Sequence, residues 1–139
     1  MMYRAPVAAC CCIFLSLCEL TGARQALLER RHFILGAHEP GEKVVHIVGA
    51  AATWYEDHQV ELDIQYPTED GGVERMRLSC IDVVIIYTPS LVHDEAGEEL
   101  FCPRVNLVSG GPGETFAAIS IQTPEVTFFN HSTIFYGID

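Results

Sequence analysis

The chain has 139 residues, enough for one domain, and a hydrophobic fraction of 49% that is ample for a packed core. At 19% charged residues it is too apolar for a disordered acidic chain. A net charge of −11, from 8 Lys and Arg against 19 Asp and Glu, excludes the basic stripe that nucleic acid requires and disfavours an anionic membrane surface.

Met1–Arg4 carry one positive charge, Ala5–Cys18 form an apolar run, and Thr21, Gly22 and Ala23 are small. That order is the pattern of a secretory signal peptide over residues 1–23, cleaved after Ala23; the run is too short for a comfortable membrane span. The expected localisation is therefore secreted and extracellular. Cleavage removes Cys10, Cys11, Cys12 and Cys18 and leaves Cys80 and Cys102. In an oxidising compartment such a pair reads as a disulfide. It would close a loop of about 20 residues and stabilise by roughly 3 kcal/mol in the chain-entropy model. Asn130-His131-Ser132 is an N-glycosylation sequon, meaningful in a secreted chain.

Arg24–Leu35 contains good helix formers and no Gly or Pro, and Leu27, Leu28, Ile34 and Leu35 share one stripe. Gly36 and then Pro40-Gly41 stop it, so the pattern predicts one helix of about three turns. Lys43–Trp54 reads as a strand, with Gly49 as a bulge where it bends. Glu56, Asp57 and His58 read as a turn. Val60, Leu62, Ile64 and Tyr66 alternate with Glu61, Asp63 and Gln65, the cleanest period-two pattern in the chain and a strand with one wet face. Pro67–Gly72 is a turn. Arg75–Tyr87 is a strand whose second half, apolar on both faces, suits a central position. Pro89–Glu99 is an acidic loop, and Phe101–Val108 a further short strand. Ser109–Glu114 is glycine-rich and closes the expected domain, residues 24–111. Residues 112–139 form a C-terminal extension, an added strand pair or a loosely attached tail, with strand-like stretches at Phe116–Ile121 and Val126–Phe129. One helix followed by four strands in a meander predicts an α+β fold, one N-terminal helix packed on a curled antiparallel β-sheet.

This order is that of cystatin-like domains, and the chain resembles the latexin family, which includes the retinoic-acid-responder (tazarotene-induced) protein and an eggshell ovocalyxin. Ala26-Leu27, His32-Phe33 and Gly36 look like the family's first helix and its exit, and Val44–Val48 like the strand after it. Val60–Ile64 after His58 resembles the next strand. Cys80 followed by Val83, Ile86, Tyr87 and Pro89 resembles the long one, and Pro103-Arg104-Val105-Asn106 the last. The likeness spans residues 23–111. It implies a cystatin-like fold and inhibition of a metallocarboxypeptidase by occlusion, although latexin has two such domains and this chain has room for one. Secreted cystatins are a second resemblance: Val45-His46-Ile47-Val48-Gly49 keeps the spacing of their inhibitory hairpin, with Val45 where that motif has Gln and with no Trp late in the chain.

No catalytic residues are expected. His32, His38, His46, His58, His93 and His131 are scattered, without paired metal-ligand spacing, so neither a metal nor another cofactor is expected. Cys80 lies in an apolar strand and makes a poor nucleophile. Gly110-Gly111-Pro112-Gly113 lacks the Lys that completes a phosphate-binding loop. The expected function is that of a secreted, non-enzymatic binding protein, with a secreted protease as the expected partner. The alternatives are an extracellular matrix or eggshell-type structural protein, and a carrier of a small apolar ligand.

Overall fold

Strands account for every regular element in the computed structural model, which describes residues 27–68, 76–88 and 102–139. They are β1 (Glu29–Gly36), β2 (Lys43–Tyr66), β3 (Arg77–Tyr87), β4 (Arg104–Gly110) and β5 (Ala117–Ile138). The expected α+β class is therefore corrected to an all-β one among the described residues. The segment read as helix overlaps β1, which runs on through the expected stop at Gly36 and whose burial alternates residue by residue. Phe33 and Leu35 pack against the core while Ile34 between them is 52% exposed. A helical stripe would have buried Leu27 and Leu28 beside Ile34, and both are more than half exposed. Helix propensity in this stretch is worth tenths of a kcal/mol per residue, and pairing with β3 along the whole of β1 outweighs it.

The meander is corrected as well. All pairings are antiparallel, and the order across the sheet is β1-β3-β5-β2, with β4 also paired to β5. Residues 112–139 are thus no appendage to a domain ending at 111, because β5 is the strand every other strand but β1 pairs with. β5 joins β2 along both of its halves, β4 beside its first half and β3 beside its second.

The long β2–β5 ribbon folds back on itself. The rings of His46 and Tyr66 lie 5.9 Å apart. An unbent strand would separate these two residues by roughly 65 Å. The corner lies where β2 loses register with β5 between Thr53 and His58, opposite Phe128 and Val126, close to Pro124. Bulges and proline are the usual means by which a strand passes from one sheet layer to another. Glu56–His58, read as a turn between two strands, is this corner within one. Trp54 stacks on His58 across it, centroids 4.5 Å apart.

Two layers result, β1, β3 and the neighbouring halves of β5 and β2 in one, β4 and the remaining halves in the other. The core lies between them: Ile81, Val83, Ile85, Tyr87, Phe129 and Phe135 from the first layer, and Ile64, Tyr66, Ala117, Ile119 and Ile121 from the second. Tyr66 stacks on Phe135 at 5.4 Å. The β4–β5 connection is pinned to β3, with Leu78 N–H donating to Glu114 O at 2.8 Å and Gly113 N–H donating to Leu78 O at 2.7 Å.

Gly49 is not a bulge. It opposes Ser132 in unbroken register, and the irregularity falls between Val44 and His46 instead. A Cβ at Gly49 would lie 2.9 Å from the His131 carbonyl, so this glycine permits close approach of β5.

Candidate functional site

Because β1 and β2 occupy opposite edges of their layer, the connection between them crosses the ends of β3 and β5, a span of roughly 14 Å. Gly36 starts the crossing at φ +84°. A Cβ there would sit 2.5 Å from the Ser79 carbonyl and against Pro112, so the left-handed turn and the close approach both require glycine. The crossing lays His38 and Glu42 over β3. On β3, Cys80 and Asp82 are two residues apart and share the outer face, opposite Gly36 and Ile34 of β1.

His38 is the hub. Its Nε2 lies 3.3 Å from Asp82 Oδ2 and 3.8 Å from Cys80 Sγ, and its Nδ1 is hydrogen-bonded to Glu42 Oε1. Its ring meets Tyr136 of β5 edge-on, centroids 4.8 Å apart. Glu42 is fixed in turn by Ser79 Oγ, donating at 2.7 Å, and by the Glu39 N–H, donating at 3.2 Å. Cys80 Sγ donates to Asp82 Oδ1 at 3.5 Å. His32 of β1 brings its Nε2 within 3.9 Å of Asp82 Oδ2.

The electrostatics follow. The hydrogen bond to Glu42, with Asp82 nearby, holds His38 above the usual imidazole pKa. Desolvation works against the Glu42 carboxylate, but its bonds from Ser79, His38 and the Glu39 N–H outweigh this and hold its pKa low. Burial, then the hydrogen bond and charge of Asp82, push the Cys80 thiol up to about 12. A thiol, an imidazole and a carboxylate in line have the outline of a cysteine nucleophile with its base and orienting group. Yet Cys80 has no exposed surface and its thiol is held protonated, an environment that disfavours nucleophilic attack. Sulfur, nitrogen and carboxylate oxygen in such proximity, all within 4.8 Å for His38, Cys80 and Asp82, can instead hold a metal ion.

Of the six histidines, the structure gathers His32 and His38 here. His46 packs on Tyr66 and Phe135, His58 on Trp54, and His131 is buried with Nδ1 3.3 Å from Thr133 Oγ1. His93 lies outside the described residues, as does the expected signal peptide, 1–23. Val45–Gly49, read as an inhibitory hairpin, is the interior of β2 and not a hairpin tip. Asn130 of the sequon stands half-buried in β5, between Ile86 of β3 and Ala51 of β2, not in a loop.

Cys80 and Cys102 are not bonded to each other. Cys102 Sγ accepts from Arg31 Nη2 at 3.6 Å, and Arg31 opposes Ile85, roughly 17 Å along β3 from Cys80 and on the other face of the sheet. A disulfide needs its two Cα atoms within about 7 Å. The Arg31 end has a polar group of its own, in which Tyr87 OH donates to Glu29 Oε2 at 2.8 Å and Arg31 pairs with the same carboxylate.

One signal for the cluster was present in the sequence, Cys80-x-Asp82, whose period-two spacing puts both residues on one face of a strand. Nothing local placed His38 over it. No protein-family model, curated protein or solved structure matches the chain.

Proposed function

We propose that this protein is a secreted, non-enzymatic binding protein that holds an extended segment of another protein along the edge of β2. The observation carrying this reading is the stretch from His46 to Thr53. It keeps unbroken register with Phe135–Phe128 on one side, and among the described residues no strand pairs with its other side. Between Lys43 and Glu56 the sequence has no acidic residue, no Lys or Arg and no proline. Natural sheet edges are normally blunted by such residues, because bare N–H and C=O groups recruit foreign strands. An edge left open between two irregularities, at Val45 and at residues 54–57, suits strand addition, with backbone hydrogen bonds supplying the affinity. Glu56, Asp57, Glu61 and Asp63 continue the same strand, and with the net charge of −11 they favour a basic segment.

Secretion rests on the N-terminal pattern of residues 1–23, and the non-enzymatic part on the sealed Cys80. The latexin-type reading has lost the helix and meander that supported it.

Hydrogen exchange on the protein with a synthetic peptide of alternating Val and Lys tests this. The expected result is slowed exchange confined to residues 46–53, lost in the Ile47→Lys/Ala51→Lys variant. Protection elsewhere, binding unchanged in that variant, or occupation of the edge by a second copy of the chain would each overturn it.

A further inference from the structure

We propose that His38, Cys80 and Asp82, with His32 as the fourth donor, form a binding site for Zn2+. With zinc bonds of about 2.3 Å to sulfur and about 2.0–2.1 Å to nitrogen and oxygen, a tetrahedral site has edges of about 3.6 Å from sulfur to its neighbours and about 3.3 Å between nitrogen and oxygen. The corresponding separations here are 3.8 Å for Cys80 Sγ to His38 Nε2, 3.5 Å for Cys80 Sγ to Asp82 Oδ1 and 3.3 Å for His38 Nε2 to Asp82 Oδ2. The sulfur and nitrogen edges run to different oxygens of the Asp82 carboxylate. With one ligand atom from each residue, all three donors, from two distant parts of the chain, lie within 4.8 Å of one another, so a small turn of the Asp82 carboxylate brings them to one tetrahedral face. His32 Nε2, 3.9 Å from Asp82 Oδ2 on a side chain that is 45% exposed, is the further donor that the site would recruit as its fourth ligand.

The support around the donors has the form that metal sites use. A ligating histidine generally gives its second ring nitrogen to a carboxylate, which fixes tautomer and orientation. His38 does so to Glu42, and Glu42 is itself held by Ser79 Oγ and the Glu39 N–H. The Tyr136 ring bounds His38 on another side. One thiolate, two imidazoles and one carboxylate form a borderline-soft donor set, which suits zinc and disfavours calcium and magnesium, whose ligands are oxygen throughout. On binding, the Cys80 thiol gives up its proton to solvent and the sulfur becomes a zinc ligand. The ion would tie three separate pieces together: β1 through His32, β3 through Cys80 and Asp82, and the crossing connection through His38.

The test uses the full chain after removal of metals by a chelator. Co2+ is added first, as a spectroscopic stand-in, and Zn2+ then competes it off. The expected result is one Co2+ per chain, with a thiolate-to-cobalt charge-transfer band and the intense visible bands of tetrahedral coordination, all abolished by one equivalent of Zn2+. His38→Gln and Asp82→Asn should each weaken Zn2+ binding by at least about 100-fold, and Glu42→Gln, which removes only the orienting partner, by about 10- to 100-fold. His32→Gln should weaken binding while leaving the charge-transfer band in place. His38 and His32 are surface side chains, so these variants stay informative even if Cys80→Ser does not fold. Absence of the band, a stoichiometry well below one, or affinity unchanged in His38→Gln would overturn the assignment.

Discussion

Replacing Phe135 by Ala examines whether the long ribbon folds back on itself. Phe135 has no exposed surface and touches three partners of the first importance: Tyr66 at 5.4 Å, His46 at 5.9 Å, and the core between the layers. At roughly 25 cal/mol per Å2 over the 150–250 Å2 that an aromatic side chain buries, losing the ring costs about 4 kcal/mol, within the range seen for Phe→Ala in cores. Against a total stability of about 5–15 kcal/mol this is a large fraction. Urea denaturation with a fitted slope is the assay, and Ile47→Ala, at 61% exposed, is the control and should stay within about 0.5 kcal/mol. The sharper measurement is the cycle of Phe135→Ala with Tyr66→Ala. Tyr66 and Phe135 meet only because the two halves of the ribbon lie face to face, so the pair should show a coupling of about 0.5–1.5 kcal/mol. Additive losses, or a Phe135→Ala cost below about 1 kcal/mol, would refute the two-layer arrangement.

Gly36→Ala should destabilise by at least about 1–2 kcal/mol from the left-handed backbone alone, and by more because its Cβ would meet the Ser79 carbonyl; a neutral result in thermal unfolding would contradict the crossing geometry. His131 is buried, and desolvation holds its pKa below the usual imidazole value, so the folded state disfavours its protonation. Its contribution to stability is complete above the unfolded-state pKa of about 6.5 and declines as pH falls through that value toward the lower folded one. The urea midpoint of the wild type should therefore fall faster between pH 7.5 and 5 than that of His131→Gln, and parallel profiles would refute the assignment. In metal-free native protein at neutral pH, iodoacetamide should modify Cys80 on the order of 1000-fold more slowly than an ordinary thiol, since its pKa is pushed up to about 12; mass spectrometry before and after unfolding reads the difference. Peptide mapping without reductant should find no Cys80–Cys102 cross-link.

The sequence by itself determined where most of the chain runs extended. Val60–Tyr66 alternates with charged neighbours, and those residues do form the second half of β2 with Ile64 and Tyr66 buried. Val83–Tyr87, apolar on both faces, occupies a strand paired on both sides. These signals are local, because the period of burial along a strand is set by the backbone within a few residues. What failed depended on partners far away. Arg30–Leu35 suits a helix by composition, and only the availability of β3 as a neighbour makes it a strand. The fold-back of β2 depends on a short irregular stretch and on Tyr66 meeting Phe135, which no windowed pattern reveals. The cluster of His38, Cys80 and Asp82 joins residues about forty positions apart through a connection that crosses two strands. A scattered list of histidines carries no record of that crossing. Strand order decides which side chains become neighbours, and strand order is a property of the whole chain's burial rather than of any segment.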